Sequence, residues 1–411
     1  MDQGADRRNE IVIYVGTRKV AVLTGEIGAG EPRILRHSEI LAPEGFDQGF
    51  VTNLERASAT LEALLDSKTS GENSVTVVLG NSKLNTYGFS SSLYFQGLRR
   101  AISAHEIRSV VSQTRSVATL PLSEFVLQSL ADSFLVDDMA DVRNPLGLDA
   151  HRLGVFLKIF TMEFQAFKNL AKAFEAAEIE VKGYYPATLM TSEAVLNDKE
   201  KEEGALLIDI DRDFSYFTLW KNGRLVDTRF FSTGEQSLNS RIAEDWQIEL
   251  HDAERVKERH GSLEPQLKFA DELIPLVDRN GKGNYPIHRR DFQEKFLEQG
   301  KKWLTDILAA ADAFAAEEKF LYPHLIFTGT GTRLDGFLEF LQKQFSREAR
   351  IGFAKKIEAD NDLLLDQSLT PALGMFRWLA VHARQQERLT EPRGIFEKTF
   401  ASARDWFSAY F

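Results

Sequence analysis

The stretch GALLIDIDRDFSYFTLWKNGRLVDTRFFSTG, residues 204–234, repeats the pattern of EIVIYVGTRKVAVLTGEIGAGEPRILRHSEI, residues 10–40, in order and approximate length. Each reads as strand, tight turn, strand, turn, strand, because apolar runs alternate with short polar or glycine-containing turns. An amphipathic helix, NLERASATLEALLDS, and a buried strand, SVTVVLG, follow the first copy. This internal repeat predicts two α/β lobes that share one β-β-β-α plan.

The composition bounds the class of protein. A chain of 411 residues with 43% hydrophobic and 27% charged residues is a globular protein of two or more domains. The net charge of −11 argues against a general nucleic-acid binder. The absence of cysteine excludes disulfides, thiolate metal sites and cysteine nucleophiles. The N-terminus does not read as a secretory signal, and no run of about 20 apolar residues predicts a membrane-spanning helix.

The pattern along the chain predicts the domain organisation. The first lobe covers 1–81, a small α+β insertion covers 82–160, and the chain returns to the first lobe over 161–203. Within the insertion, Ser103 and Glu106 form a capping pattern that starts a helix at Ala104. The second lobe is predicted at 204–384, with a helix-rich charged region at about 250–320, then a polar connector at 385–394 and a terminal helix at 395–411.

Several stretches, in this order, resemble the FtsA family of actin-like bacterial cell-division proteins. They are YVGTRKVAVLTGEI, RNPLGLDAHRLGVFLKIFT, GYYPATLMTSEAVLNDKEKEEGALLIDI, HDAERVKERHGS and LIFTGTGTRLDGFLEF. The resemblance covers nearly the whole chain. It implies an α/β, actin/Hsp70-like duplicated β-β-β-α fold with an inserted small α+β subdomain, a C-terminal amphipathic helix, and a nucleotide cleft between the lobes.

The first phosphate loop of the family resembles Gly16-Thr17-Arg18-Lys19. A Gly-Thr turn offers backbone N–H groups and a hydroxyl to a phosphate, and Lys19 adds charge. The family carries an aspartate aimed at Mg²⁺ two residues before the glycine, where this chain has Tyr14. A neutral phenol is a poor ligand for a hard cation. A plain β-hairpin is the alternative interpretation.

The second phosphate loop departs further from the family pattern. Asp209 is kept, but the three glycines are replaced by Asp211, Arg212 and Asp213, and the last aspartate by Tyr216. Each added carboxylate costs on the order of 1–4 kcal/mol at about 4 Å from a phosphate charge. A charged hairpin turn is the favoured interpretation, and we expect little or no ATP hydrolysis.

The residues expected on the base side of the nucleotide site match the family pattern better than those of the second phosphate loop. A glycine loop follows a buried strand and opens a helix, which suits a phosphate or ribose. Glu254 and Lys257 lie on one helical face, where the family borders the base and ribose. A surface ion pair and a tight strand–helix turn are the alternative. With the resemblance counted, the nucleotide-binding candidates are Gly16, Thr17, Lys19, Asp209, Gly234, Glu254, Lys257, Gly329, Thr330 and Gly331. No catalytic residue and no metal ligand are assigned, any ATP binding is expected to be weak, and the role of Mg²⁺ is left open.

The last 17 residues, 395–411, predict an amphipathic helix whose large apolar side chains share one broad face. We interpret it as an interfacial membrane anchor, which the resemblance also implies. The alternative is a helix docked on the protein's own core. The membrane-binding candidates are Ile395, Phe396, Phe400, Trp406, Phe407, Tyr410 and Phe411.

The resemblance implies a cell-division protein that tethers FtsZ filaments to the cytoplasmic face of the cell membrane at the division site. It implies that the region around 250–320 binds the FtsZ C-terminal peptide, and that the insertion contacts neighbouring protomers or late division proteins. Membrane lipids and self-association into filaments complete the expected interactions; nucleic acid is not among them. Two alternatives stay open: an active ATPase of this fold, with a metal site that uses Asp209 alone, or an assembly platform of the PilM type for type IV pili.

Overall fold

The computed structural model describes residues 7–28, 30–65, 74–264, 271–279 and 284–390. These residues form two compact units. The first unit contains the chain up to Ala194 and again from Ala354 onward, and the second contains Val195–Phe353.

A five-stranded mixed sheet forms the centre of the first unit. Its strands are β1 (Arg8–Val15), β2 (Lys19–Ile27), β3 (Arg33–Leu41), β6 (Ser74–Leu79) and β13 (Glu180–Pro186), and the small hairpin of β4 (Phe46–Asp47) and β5 (Phe50–Val51) follows β3. The order is β13-β6-β1-β2-β3. The first three strands are antiparallel neighbours, while β6 runs parallel to β1 and β13 parallel to β6.

Five helices are described in the first unit outside the insertion, and three of them, the first, second and last, contact this sheet. The five helices are α1 (Leu54–Leu64), α3 (Phe164–Ala176), α4 (Ala187–Val195), the short α10 (Asn361–Leu365) and α11 (Thr370–Thr390). Asn53 caps α1 by accepting a hydrogen bond from the Arg56 N–H at 3.0 Å. Helix α11 packs against β1 and β2, and it crosses α4 so closely that a Cβ on Gly374 would collide with the Met190 carbonyl oxygen.

The insertion is a four-stranded antiparallel sheet with one helix on it. It consists of β7 (Leu84–Tyr94), β8 (Arg100–Ala101), α2 (Ala104–Val117), β9 (Glu124–Val136), β10 (Met139–Val142), β11 (Asp149–Ala150) and β12 (Arg152–Glu163). The sheet order is β10-β9-β12-β7, and β8 pairs with β11. The predicted capping box of α2 is confirmed, because Ser103 and Glu106 exchange hydrogen bonds with each other's backbone.

The second unit repeats the sheet of the first. Its elements are α5 (Asp198–Glu203), β14 (Ala205–Ile210), β15 (Ser215–Lys221), β16 (Arg224–Phe231), α6 (Glu235–Trp246), α7 (Leu250–His260), β17 (Leu273–Val277), β18 (Asn284–His288), α8 (Arg289–Glu317), β19 (His324–Thr328), α9 (Phe337–Phe345) and β20 (Arg350–Ile351). The sheet order is β16-β15-β14-β19-β20, with three antiparallel strands and then parallel neighbours. The two sheets share one topology, and the predicted duplicated α/β fold with an inserted subdomain is confirmed.

Helix α8 carries the largest part of the core of the second unit. Its buried side chains, among them Trp303 and Phe314, form one apolar cluster with α6, α7 and the β17–β18 hairpin, and the helix contacts β15 and β16 of the sheet. Burying a side chain of this size stabilises by about 1.5–3 kcal/mol relative to leaving it exposed. The predicted helix-rich region at about 250–320 thus contains α7 and α8, but also two strands.

Three predicted boundaries differ from the structure. The return to the first lobe was predicted to end at residue 203, but the first unit ends at Ala194 and α5 belongs to the second unit. The second lobe ends at Phe353 rather than at 384, because the apolar side of α11 packs on the sheet of the first unit. Residues 385–390 were predicted as a connector, but they lie inside α11, which extends to Thr390. Their sequence, QQERLT, contains good helix formers. The remainder of the connector and the terminal helix at 395–411 lie outside the described residues.

Candidate functional site

The first hairpin forms a turn at Gly16, but the Tyr14 side chain fills the space beside that turn. The Gly16 N–H donates to the Lys19 carbonyl oxygen at 2.9 Å, and Thr17 is half-buried in the turn. The Tyr14 ring is buried against two glycines. A Cβ on Gly16 would lie 2.7 Å from Tyr14 Cζ, and a Cβ on Gly80 would lie 2.9 Å from Tyr14 Oη. The phenol thus fills the space beside the turn, at the position of the family's metal-directed aspartate.

The Lys19 ammonium is bound by side chains of its own unit. Its ammonium lies 2.7 Å from Glu39 Oε2, 2.6 Å from Ser368 Oγ and 3.5 Å from Asp366 Oδ2. A lysine has three N–H donors, and these acceptors account for all three. The side chain therefore joins β2 and β3 to the segment before α11. The expectation that Lys19 adds charge at a phosphate finds no support in this geometry.

The second hairpin closes with a charged turn. The Asp211 N–H donates to the Phe214 carbonyl oxygen at 3.0 Å. The Arg212 guanidinium lies 3.5 Å from Asp213 and 3.6 Å from Glu254. Its Nε is buried and has no hydrogen-bond partner among the described residues. Arg212 therefore balances two carboxylates of its own unit.

The backbone of this turn occupies the start of helix α6. The Glu235 N–H donates to the Asp211 carbonyl oxygen at 3.0 Å, and the Gln236 N–H donates to the Arg212 carbonyl oxygen at 2.6 Å. The first N–H groups of a helix are the donors that commonly bind anions. Here the chain itself uses two of them. Gly234, the N-cap, makes the approach possible, since a Cβ there would lie 2.6 Å from the Asp211 and Arg212 carbonyl oxygens.

Aromatic side chains stand where the family carries its threonine and last aspartate. Phe214 and Tyr216 are buried, and both pack edge-on or tilted against each other and Phe230, with ring centroids 5.2–6.0 Å apart. Tyr216 lies directly across the hairpin from Asp209. Burial, with smaller contributions from Asp211 and Asp209, raises the pKa of the Tyr216 phenol well above its ordinary value. The phenol is therefore neutral at physiological pH and cannot act as a metal ligand of the carboxylate kind.

Glu254 and Lys257 do lie on one face of α7, as predicted. The buried Lys257 ammonium forms an ion pair with Glu235 at the start of α6, and Glu254 faces Arg212. Both side chains therefore hold α7 against the second hairpin and α6. The alternative of a surface ion pair between Glu254 and Lys257 does not describe this arrangement, because Lys257 is buried and pairs with Glu235.

The glycine loop meets Asp209 at the end of the sheet. Strands β14 and β19 are parallel neighbours, with Asp209 beside Thr328. A Cβ on Gly329 would lie 2.5 Å from Asp209 Oδ1, and one on Gly331 would collide with the Ile210 side chain. The glycine loop leads into a four-residue 3₁₀ turn, Thr330–Arg333, and helix α9 begins only at Phe337. The prediction that the glycine loop opens the helix directly is therefore wrong. Thr330 Oγ1 is buried and lacks a hydrogen-bond partner among the described residues.

The predicted site residues that lie together are those of the glycine loop and the end of β14. The structure brings Asp209, Gly329, Thr330 and Gly331 together, and the unpaired Thr330 hydroxyl remains able to bond a ligand. The phosphate donors of the second hairpin are engaged by its own backbone. Within the described ranges, no cluster of three or more His, Asp or Glu side chains could hold a metal ion. The start of α6 therefore offers fewer free N–H donors to a phosphate than an open hairpin turn would.

Sequence reasoning missed two features of the site. Gly80 was not identified, although a glycine after a buried strand that repeats in both copies is a usable signal. The capping of α6 by the Asp211 and Arg212 carbonyls carries no sequence signal, because backbone atoms are common to all residues. The seven membrane-binding candidates lie outside the described residues. None of the described helices is long and apolar enough to cross a membrane.

The fold and the paired hairpins define the class, an actin-like protein with two α/β units and an inserted subdomain. The structure resembles that of the PilM–PilN type IV pilus biogenesis complex, with a TM-score of 0.60 and 12% identity over 93% of this chain and 99% of the other. It also resembles MreB5 of Spiroplasma citri bound to ADP, with a TM-score of 0.53 and 12% identity over 92% and 98%. These likenesses establish the fold alone.

The sequence comparisons point to one family. The family model for the SHS2 domain inserted in FtsA matches residues 86–161, which is the insertion. Cell division protein FtsA of Escherichia coli K12 is 23% identical over 99% of this chain and 97% of its own length, and that of Borreliella burgdorferi is 20% identical over 95% of both. Over nearly its whole length the chain is therefore similar to FtsA cell-division proteins, and its insertion matches the SHS2 domain of that family.

Proposed function

We propose that this FtsA-like protein tethers FtsZ filaments to the cytoplasmic face of the membrane at the division site, with weak or absent ATP hydrolysis. The observation that carries the proposal is the end-to-end similarity to FtsA, which includes the inserted subdomain. The FtsZ C-terminal peptide is the proposed ligand of the region at about 250–320. Self-association into filaments and contacts with late division proteins are further parts of the proposal.

The hairpin geometry supports weak or absent hydrolysis. Phosphoryl transfer needs a positioned metal, phosphates cradled by amides and a held water. The buried Tyr14 ring occupies the place of one metal partner, and the amides that begin α6 already donate to Asp211 and Arg212. The MreB5 relative in structure was solved with ADP, and the buried Thr330 hydroxyl supports a contact of that nucleotide class here.

Tethering is tested by flotation of the full chain with liposomes, in the presence and absence of an FtsZ C-terminal peptide joined to a fluorophore. We expect the peptide to float only when the full chain is present. A chain that ends at Gly394 lacks the terminal segment and should stay in the soluble fraction while still binding the peptide. Burial of about five or six aromatic side chains at roughly 1–2 kcal/mol each accounts for the expected membrane affinity.

A matched pair of variants separates anchoring from a change in charge. Phe407→Glu places one carboxylate on the apolar face of the segment, and Ser402→Glu places one on the polar face. We expect Phe407→Glu to lower the membrane-bound fraction strongly and Ser402→Glu to change it little. Membrane binding that persists after truncation at Gly394 would contradict the anchor, and the absence of peptide binding would contradict the FtsZ interaction.

A PilM-type platform is the second candidate, supported by the TM-score of 0.60 to the PilM–PilN complex. The fold does not separate the two functions, since PilM and FtsA share it. The discriminating measurement is direct competition between an FtsZ C-terminal peptide and a peptide of PilN for the full chain. Binding of the PilN peptide alone would replace the tethering proposal. An active ATPase, the remaining alternative, requires steady phosphate release that depends on Mg²⁺ and is lost in Asp209→Asn.

A further inference from the structure

One edge of the insertion's sheet is unprotected against pairing with another strand. Strand β7 lies at the edge of the order β10-β9-β12-β7, and among the described residues it pairs only with β12. Its 11 residues, LNTYGFSSSLY, contain no charged residue and no proline. An edge strand exposes a row of N–H and C=O groups, which proteins normally protect with charges, prolines, bulges or short length.

The other edges of the three larger sheets in the described chain are protected. The opposite edge of the same sheet, β10, has only four residues and a register shift against β9, and its Asp141 has a φ of 64°. In the first unit, β3 carries Arg33, Arg36 and Glu39, and β13 ends in a proline. In the second unit, β16 carries two arginines and an aspartate, and β20 has two residues. Strand β7 is the exception.

The surroundings of β7 permit a second strand beside it. Helix α2 covers the inner face of the sheet, where the Ser91 and Thr114 hydroxyls are 2.5 Å apart. Gly88 and Ser90 belong to the opposite face and are exposed, and Tyr94 is 72% exposed. Small side chains at the edge leave room for another backbone at the strand spacing of about 4.8 Å.

We propose that β7 pairs with β7 of a second copy of this chain, antiparallel about a two-fold axis, so that two insertion sheets become one. A two-fold interface must be self-complementary, and an uncharged strand meets no like charge in its copy. The net charge of the whole chain is −11, which opposes association, but the insertion at 84–163 carries seven basic and eight acidic residues and is nearly neutral. A second copy therefore meets little repulsion here.

This inference deepens the self-association within the proposed function, and it concerns a side-by-side contact rather than filament growth. Full overlap of two 11-residue strands gives a ladder about 35 Å long. Strand addition supplies backbone hydrogen bonds, and the side chains on either face set the register. Full overlap places Phe89 on the axis and Ser90 opposite Gly88 of the second copy.

The chain has no cysteine, so single cysteines provide a direct test. Ser90→Cys in the full chain is treated with a short bis-maleimide, and covalent dimers are measured by gel. Met139→Cys on the opposite edge and Leu122→Cys in the exposed turn before β9 are the controls. We expect the Ser90→Cys dimer to exceed both controls clearly. Equal dimer yields at all three positions would overturn the proposal.

A second measurement does not depend on cross-linking. Ser90→Lys places two like charges near the two-fold axis, and Ser116→Lys makes the same charge change at an exposed position on α2. We expect Ser90→Lys to weaken dimer formation in sedimentation velocity by about tenfold, since this corresponds to a repulsion of about 1.4 kcal/mol between closely spaced like charges. Unchanged dimer formation in Ser90→Lys would overturn the proposal. Liposome flotation and binding of the FtsZ peptide should be the same in both lysine variants, so failure here is distinguishable from failure of tethering.

Discussion

The two phosphate hairpins of this chain depart from a phosphate-binding form in different ways. In the first hairpin the turn keeps Gly16, and the obstacle is a side chain, the buried ring of Tyr14 between Gly16 and Gly80. In the second hairpin the obstacle is the backbone, because the carbonyls of Asp211 and Arg212 accept the N–H groups that begin α6. A side chain can be exchanged by one substitution, whereas a backbone hydrogen-bonded to a helix start cannot.

The ion pairs around the two hairpins also differ in how easily one substitution can disrupt them. Lys19 in the first unit has three acceptors, so each one is partly redundant. Lys257 in the second unit is 3% exposed and has Glu235 as its carboxylate partner. We therefore expect the stability of the second hairpin region to be more sensitive to substitution than that of the first. The following predictions test this difference, beginning with the largest expected effect.

Gly234→Ala should be the most damaging of the small substitutions. The added Cβ would lie 2.6 Å from two backbone carbonyl oxygens and against the Phe214 N–H, none of which can move without breaking the cap of α6. We expect a loss of about 3 kcal/mol or more in the free energy of unfolding of the second unit. The three atoms nearest to the new Cβ of Gly16→Ala would all belong to the Tyr14 side chain, and we expect this substitution to cost about 1 kcal/mol. Scanning calorimetry of the full chain measures both.

Two controls make this comparison decisive. A Cβ on Gly30 meets no atom within 4 Å, so Gly30→Ala should leave the transitions almost unchanged. Tyr14→Ala should remove most of the penalty of Gly16→Ala, because it removes the ring that the new Cβ would touch. Equal losses for Gly16→Ala and Gly234→Ala would show that the two hairpins do not differ as described.

Removing the partner of Lys257 should have the next largest effect. Glu235→Gln leaves a buried ammonium without its counter-charge, and we expect a loss of about 2–3 kcal/mol in the second unit. Glu39→Gln is the matched change in the first unit, and it should cost less than about 1 kcal/mol because Asp366 and Ser368 remain beside Lys19. Thermal unfolding of both variants provides the measurement.

The double variant Glu235→Gln/Lys257→Met tests the mechanism of that loss. It removes the buried charge together with its partner, and a buried pair replaced by neutral groups of similar size is often nearly neutral in stability. We therefore expect it to recover most of the stability lost in Glu235→Gln. A double variant as unstable as the single one would mean that packing, not the unpaired charge, is responsible.

The smallest expected effect is a change in how the stability of the protein depends on pH. The pKa of Tyr216 is raised above its ordinary value of 10.0 by burial, with Asp211 and Asp209 contributing. Above pH 10 the unfolded chain loses the phenol proton while the folded protein keeps it, so stability falls as pH rises. Tyr216→Phe should reduce this fall by at most about 1.4 kcal/mol per pH unit. Melting temperatures between pH 9 and 11 measure it, with the exposed Tyr94→Phe as control; identical slopes for all three proteins would contradict the prediction.

The internal repeat made most of the fold predictable. Strand and turn patterns depend on local sequence, and the second copy repeats the first, so the three consecutive strands that open each unit and the position of the insertion follow from pattern alone. The capping box at Ser103 was likewise readable, because all its groups lie within four residues. The assignment of α11 was not, since its amphipathic pattern shows that one face is buried but not which sheet buries it.

The candidate site was predictable only in part. The meeting of Asp209 with Gly329 follows from two parallel strands in a repeated plan. Lys19 and Lys257 were predicted near a nucleotide because lysines at such positions suit phosphates. The acceptors of Lys19 lie 20 to 349 residues away along the chain, and the acceptor of Lys257 lies 22 residues away. Long-range ion pairs of this kind have no signature in local sequence.

The sequence by itself determined the duplicated plan, the inserted subdomain and the loss of the glycines and carboxylates that a metal–phosphate site needs, because these depend on residue types and their order. Only the tertiary structure decided what replaced them. The Tyr14 ring between two glycines, the carbonyls that cap α6 and the three acceptors around Lys19 all bring together atoms that are distant along the chain. Packing, rather than local preference, selects such neighbours, since each must exclude water and satisfy its hydrogen bonds in one arrangement.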